Sequence, residues 1–347
     1  MSHVYVGMSG GVDSSLTAAL LKEQGHQVTG VYMKNWTEDL PGMRCPWADD
    51  LADAKRVAVQ LGIDFKVFDF ENEYKQKVVD YMIDEYKLGR TPNPDIMCNQ
   101  EVKFKLFLEA ALEDGADMIA TGHYASVEDG VLRVAADANK DQTYFLYRVT
   151  SEALKKTLFP LGRYTKPEVR EMAKERGLFT ASKKDSQGIC FVGKIGIRDF
   201  LSNYVEQRPG EVVDAKTSTV IGHHDGAIFY TLGQRHGLSV GGGLPYYVVG
   251  KDMDKNEVYV TTDLNDETLW KKEVHLTSVH WISGIAPENG SYAVRVRHRA
   301  KLIEATLVHD ARNDVTLALS EPERAIAAGQ SIVLYKDGAC LGGGIVV

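Results

Sequence analysis

The nine residues Gly7-Met8-Ser9-Gly10-Gly11-Val12-Asp13-Ser14-Ser15 decide how this chain is read. They follow an apolar stretch, His3–Gly7, that reads as a strand. They run into residues 14–24, where Leu16, Ala19 and Leu20 share one helical face and Gly25 is a stop. A strand, a glycine turn and a helix bring backbone N–H groups close to an anion at the helix N-terminus, where unpaired donors and the dipole favour phosphate. Ser9, Ser14 and Ser15 add hydroxyl groups, and Asp13 is placed to hold Mg²⁺ or to order the turn. The plainer alternative is a turn that only packs a helix onto a strand. The segment is not a Walker A loop, because Gly-Lys-Ser/Thr occurs nowhere in the chain, nor is it Gly-x-Gly-x-x-Gly.

Outward from this turn, apolar strands alternate with amphipathic helices: strands at 28–33, 65–68 and 116–120, helices at 49–61, 71–87 and 102–112. This is the pattern of an α/β domain with a parallel sheet of about five strands. Residues 142–204 read as mostly helical, most clearly at 166–176 before Gly177. After Arg208-Pro209-Gly210 the text changes to short strands and glycine turns. The expected organisation is a catalytic α/β domain over 1–205, a small β-rich domain over 206–272 and a β-barrel over 273–347.

The composition excludes several classes. With 347 residues, 44% hydrophobic and 25% charged, the chain is globular rather than disordered. The net charge of -8 means that any nucleic-acid contact must come from a local basic patch. No run of 18 apolar residues and no signal-like N-terminus is present, so no membrane association and a cytoplasmic location are expected. The four cysteines, Cys45, Cys98, Cys190 and Cys340, form no C-x-x-C pair, which argues against a zinc site, and in a reducing compartment against a disulfide framework.

Two cysteines stand in distinctive text. In Arg90-Thr91-Pro92-Asn93-Pro94-Asp95-Ile96-Met97-Cys98-Asn99 the prolines predict an extended, rigid loop. Cys98 would then stand just before a helix, where the helix N-terminus lowers a thiol pKa, with Asp95 three residues upstream as proton acceptor or orienter. A buried structural thiol is the alternative. Cys190 follows Lys183-Lys184-Asp185-Ser186-Gln187-Gly188, whose lysines would favour thiolate; between Ile189 and Phe191 it reads equally as a small hydrophobe. Near the C-terminus Arg295, Arg297, Arg299 and Lys301 alternate with Val294, Val296 and Ala300. On a strand all four cations would share one face, as a phosphate-tracking strip or as a solvated edge protected by charge.

Ser-Gly-Gly-Val-Asp-Ser-Ser resembles the PP-loop of ATP pyrophosphatases, which cleave ATP between its α and β phosphates. Taken with Met33-Lys34-Asn35-Trp36, 92–99, Thr121-Gly122-His123-Tyr124-Ala125, 140–144, 185–191 and Gly233-Gln234-Arg235-His236-Gly237-Leu238, the whole chain resembles the tRNA-specific 2-thiouridylases. That resemblance implies that Gly7, Met8, Ser9, Gly10, Gly11, Val12, Asp13, Ser14, Met33 and Gly122 contact ATP, with Mg²⁺ as cofactor. It implies that Asn93, Pro94 and Asp95 meet the target base, and that Lys140, Asp141, Gln142, Arg297 and His298 touch tRNA. Cys98 and Cys190 would be the catalytic pair, with Cys190 carrying a persulfide from a sulfur-donor protein. Relatives often have tyrosine where this chain has His298. Two rivals remain at this stage: an adenylating amidoligase using the same loop, and a noncatalytic nucleotide- or tRNA-binding protein.

Overall fold

A computed structural model describes residues 1–41, 45–184, 196–238, 240–241, 245–309 and 315–347. Its first unit is built on a parallel sheet of β1 (His3–Gly7), β2 (Gln27–Lys34), β3 (Asp64–Asp69), β4 (Met118–Ala120) and, beyond a hairpin described below, a short strand Thr157–Leu158. The spatial order is β3-β2-β1-β4 followed by that short strand. β1 lies at the centre and is buried on both faces, as parallel strands covered by helices are. Val4 and Val6 pack with Ala18 and Leu21 of α1 (Val12–Glu23) and with Ala54 and Val57 of α2 (Trp47–Leu61). Tyr5 points the other way, into the core that holds Phe107 and Ile119.

Two further helical runs lie between β3 and β4. α3 covers 71–87 and α4 covers 94–113, and each contains a π-helical segment, Lys75–Asp80 and Cys98–Leu106 respectively. α4 corrects the sequence reading. The helix expected from 102 begins at Pro94, because Asn93 caps it with its side chain, accepting from the Asp95 and Ile96 amides at 3.1 and 3.3 Å, and Pro94 occupies the first turn, where a missing N–H costs nothing.

The chain then forms a hairpin, β5 (Ser126–Glu128) and β6 (Val131–Arg133). In order after it come β7 (Thr157–Leu158, the strand already placed), helix α5 (Lys166–Glu175), and the central sheet of β8 (Gly210–Asp214), β9 (Val220–His224), β10 (Tyr247–Asp252) and β11 (Glu257–Thr261), arranged β10-β11-β8-β9. The last unit comprises β12 (Trp270–Trp281), β13 (Gly290–Arg295), β14 (Ile303–His309), β15 (Val315–Arg324), β16 (Ser331–Lys336) and β17 (Ala339–Val346). Pairing of β12 with both β15 and β17 closes the barrel and leaves no open edge there. Gly342 and Gly343 make the closure possible, since a Cβ on either would lie 2.1–2.2 Å from the carbonyl oxygens of His280 and Ile332.

One connection was invisible in the sequence. β6 pairs with β17, Arg133 opposite Ala339 and Leu132 opposite Cys340, so a hairpin of the α/β unit extends the barrel sheet. Among the described residues, no helix is long and apolar enough to cross a membrane.

Candidate active site

In a sheet ordered β3-β2-β1-β4, the chain leaves β1 in one direction and returns to β4 on the other side. The crevice at the C-terminal ends of β1 and β4 is therefore the topological switch point, where open α/β sheets bind ligands. The loop 7–11 and the segment 121–125 both open there.

The loop folds on itself through short local bonds. The Ser9 amide donates to Ser14 Oγ at 3.1 Å, while Ser14 and Ser15 hydroxyls donate to the Gly11 carbonyl at 3.2 and 2.7 Å. Gly10 has a φ of 71°, and a Cβ there would stand 2.5 Å from the Asp50 carbonyl oxygen. A Cβ at Gly122 would sit 2.9 Å from Asp13 C and Ser14 N, and one at Gly7 would be 3.0 Å from Met33 Cε. Thus Gly7–Ser14, Met33 and Gly122, far apart in sequence, meet at one place. Among the described residues no side chain caps α1, whose extended N-cap is Gly11. That suits a phosphate. Asp13 is the carboxylate at the rim. Among the described residues no group of three or more His, Cys, Asp or Glu is placed to hold a metal ion.

The second component is the first turn of α4. Cys98 is 1% exposed and donates its amide to the carbonyls of Asp95 and Pro94, one turn inside the helix rather than at its start. The expected position at a helix N-terminus is therefore corrected. Asp95 is half-buried on the same turn. Asn99 Nδ2 donates to the Phe145 carbonyl at 3.1 Å, and Phe104 packs on His123 with ring centroids 5.5 Å apart. His123 bonds Thr121 Oγ1 through Nδ1 at 2.7 Å, and burial, with Lys103 nearby, holds its pKa well below the usual imidazole value. These contacts fasten the Cys98 helix to the segment that follows β4. Cys190 lies outside the described residues. Lys183, expected to favour its thiolate, gives its ammonium to Asp50 Oδ1 and Asp53 Oδ2 at 2.9 and 2.7 Å. Cys45 and Cys340 are buried, and burial pushes both thiols up, which suits packing.

The third component departs most from the sequence reading. Arg295, Arg297, Arg299 and Lys301 do not share one strand face. β13 stops at Arg295, the next residues turn, and Arg299 adopts a φ of 63°. Arg295 Nη1 donates to Asp141 Oδ2 at 2.8 Å, with only 11% and 2% of the two side chains exposed. Asp141, expected at an RNA surface, is spent internally: it also accepts from the Ala135 amide at 3.0 Å and the Thr143 hydroxyl at 2.8 Å. Gln142 Oε1 accepts from the Tyr124 amide at 2.9 Å, and Lys140 stands half-buried beside them. Arg297 is exposed and paired with Glu323, Arg299 reaches the Asn139 carbonyl at 3.1 Å, and Lys301 is exposed. His298 packs against Phe145 with ring centroids 4.5 Å apart and planes tilted by 43°, and burial, with Arg299 and Arg295 nearby, pushes its pKa down to about 4. It is therefore a neutral ring at physiological pH, able to stack but bringing no charge.

A cavity of about 510 Å³ lies between the central unit and the barrel, lined by Thr231–Gln234, Arg297, Arg324, Ala325 and Gln330. It borders the loop before α4, since the Thr91 amide donates to the Ala328 carbonyl at 2.8 Å and its hydroxyl meets that of Thr231 at 3.2 Å. Sequence reasoning missed this cleft, Tyr124 and Lys166. The last two bind Asp13, but only the fold brings them to it.

Comparison with known proteins gives a consistent picture. Residues 2–194 match the family described as tRNA methyl transferase HUP domain, 198–262 the tRNA methyl transferase PRC-barrel domain and 271–346 the aminomethyltransferase beta-barrel domain. The chain is 48% identical over 351 aligned positions to the tRNA-specific 2-thiouridylase MnmA of Bacillus thuringiensis (strain Al Hakam), covering 99% of this chain and 94% of that protein. It is 47% identical, with the same coverage, to the protein of that name from Bacillus cereus (strain ATCC 14579). Among solved structures, NMN synthetase from Francisella tularensis aligns at 15% identity and a TM-score of 0.35, over 53% of this chain and 66% of that one.

Proposed function

The chain belongs to the tRNA-specific 2-thiouridylase family, and from that premise we propose that it replaces the carbon-2 oxygen of the wobble uridine of tRNA with sulfur, at the expense of ATP. The observation that carries this reading is identity of nearly one half along 99% of the chain to proteins named for that activity. Some domain families are described by methyl transfer, but the full-length relatives are named for thiolation, and identity over the whole length weighs more.

The chemistry requires two things. A uracil carbonyl is a poor electrophile with a poor leaving group, and ATP supplies the remedy by placing AMP on the oxygen, with pyrophosphate released. The sulfur must arrive as a nucleophile at neutral pH, which a persulfide on Cys190, loaded by a donor protein, provides. Its terminal sulfur attacks carbon 2 and AMP departs. Cys98 then attacks the Cys190 sulfur, the sulfur–sulfur bond to the base breaks, and 2-thiouridine leaves behind a Cys98–Cys190 disulfide that must be reduced before the next cycle. Asp95, one turn from Cys98, is assigned the role of proton acceptor, and Asn93–Asp95 are assigned to the base.

The amides leading α1, with Met33 and Gly122 packed against the loop, are assigned to the nucleotide; Asp13 would hold Mg²⁺. Lys140, Gln142, Arg297 and His298 are assigned to tRNA, and Asp141 to fixing their loop through Arg295. The working units are 1–205, 206–272 and 273–347.

The test is mass spectrometry of nucleosides from tRNA incubated with the protein, ATP, Mg²⁺ and a persulfide source. 2-Thiouridine together with AMP and pyrophosphate is expected. ADP and phosphate as main products would overturn the adenylation step, and turnover that survives Cys98→Ser would favour an amidoligase. Cys190→Ser should accept no sulfur, whereas Cys98→Ser should gain about 32 Da (one sulfur, as in a persulfide) and release no product. That adduct on Cys98 in the Cys190→Ser protein would reverse the two roles.

A further inference from the structure

The nucleotide loop contains no lysine, yet a lysine stands in it. Lys166 Nζ donates to both carboxylate oxygens of Asp13 at 2.7 Å, and Tyr124 OH donates to the same carboxylate at 2.9 Å. Lys166 opens α5, 153 residues after Asp13, and reaches the loop because Val169 and Ala173 of α5 pack against Val12, Leu16 and Ala19 of α1. Its position is fixed at both ends. The backbone amide donates to Asp137 Oδ2 at 2.9 Å, and the ammonium lies 5.7 Å from the centre of the Tyr124 ring. Only 10% of the side chain is exposed.

For a purely structural lysine this is a poor place. An ammonium beside the second residue of α1 faces the positive end of the helix dipole, and burying it costs desolvation. The Asp13 carboxylate offsets part of both. Leading helix amides and a buried ammonium converging on one glycine loop suit a ligand carrying several negative charges.

We propose that Lys166 binds the β and γ phosphates of ATP, the part that departs as pyrophosphate, doing from α5 what a lysine inside the loop does in Walker A proteins. Asp13 holds the ammonium ready; when Mg²⁺ accompanies the triphosphate, this carboxylate would hold the cation and leave the ammonium to the phosphates. The proposal rests on reading 7–15 as the nucleotide loop, but not on tRNA thiolation.

The test is calorimetric titration of the full-length protein with ATP and, separately, with AMP, in the absence of tRNA and sulfur donor, so its failure is separable from failure of the thiolation reading. Lys166→Met should weaken ATP by about 10-fold or more, the worth of a hydrogen bond to a charged group, and leave AMP within about 2-fold. Equal loss for both nucleotides, or no loss for either, would overturn the proposal. Asp13→Asn, titrated with ATP in EDTA, gives a second measurement that does not depend on how Lys166→Met folds. Freed from its carboxylate, Lys166 should bind metal-free ATP about 3-fold tighter, a typical worth of a modest ion pair. Unchanged or weaker binding there would count against it. An unaltered protein that binds AMP and ATP equally tightly would overturn it outright.

Discussion

The glycine loop at 7–15 and the basic segment at 295–301 both carry a sequence pattern expected to bind phosphate, and the fold treats them differently. The loop forms a turn between β1 and α1, with serines closing onto Gly11 and Gly10 in the left-handed region. The basic segment does not form the predicted strip, because Arg295 is drawn inward to Asp141 and Arg299 turns away. A glycine loop presents backbone donors, and local dihedral preferences decide where these point. A charged side chain points wherever its partner is, and the partner of Arg295 lies 154 residues away.

The largest effect that would sharpen this contrast lies in the loop. Gly10→Ala places a Cβ 2.5 Å from a backbone oxygen in a conformation alanine avoids. It should lower tRNA-dependent pyrophosphate release by about 100-fold, as a misplacement near 1 Å does, with tRNA affinity unchanged in a filter-binding assay. Full activity would mean that the loop tolerates a shift and that its geometry was over-read.

Next is the ion pair. Arg295→Ala leaves the Asp141 carboxylate buried without its partner, which should cost about 3–5 kcal/mol in chemical denaturation. The exposed Arg297→Ala should cost about 1 kcal/mol or less. In tRNA binding the order reverses. Arg297→Ala and Lys301→Ala should each reduce the salt slope by about 0.7–0.9, and Arg295→Ala should leave the slope alone. Equal slopes for all three would restore the single-face strip.

His298 tests the same region by pH. Its folded pKa, about 4, lies below the ordinary 6.5, so the unfolded chain binds the proton more readily. Its contribution to stability is therefore complete above pH 6.5 and is lost as pH falls toward 4. Thermal melts of His298→Phe should show a shallower decline over that range than the unaltered protein. tRNA affinity between pH 6 and 8 should be indifferent to His298 titration; a rise on acidification that disappears in His298→Phe would show that the ring is charged when RNA binds.

The smallest effect belongs to Cys340→Ala and Cys45→Ala, whose thiols act as small hydrophobes. Thiolation should stay within about 2-fold of normal, against complete loss for Cys98→Ser. Comparable losses would give these buried thiols a chemical role.

Legibility in the sequence followed the range of the interactions. The parallel sheet, α1, α2, the helical run after β3 and the change to β structure near residue 208 all rest on periodicity within a few turns, and they were read correctly. The early start of α4 was missed although its signal was local: Asn93 followed by Pro94 is a cap and a first-turn proline, which the emphasis on an extended loop obscured. The pairing of β6 with β17, the Lys166–Asp13 contact and the cleft lined by Thr231, Arg297 and Arg324 carried no local signal.

The sequence by itself determined most of the secondary elements and the glycine turn after β1, because dihedral preference and hydrophobic period are properties of neighbouring residues. The tertiary structure alone decided which charges face solvent, which thiols are buried and which lysine stands in the loop. Those outcomes depend on pairings across more than 100 residues, and the free energy of a buried charge is set by the partner that desolvates and neutralises it.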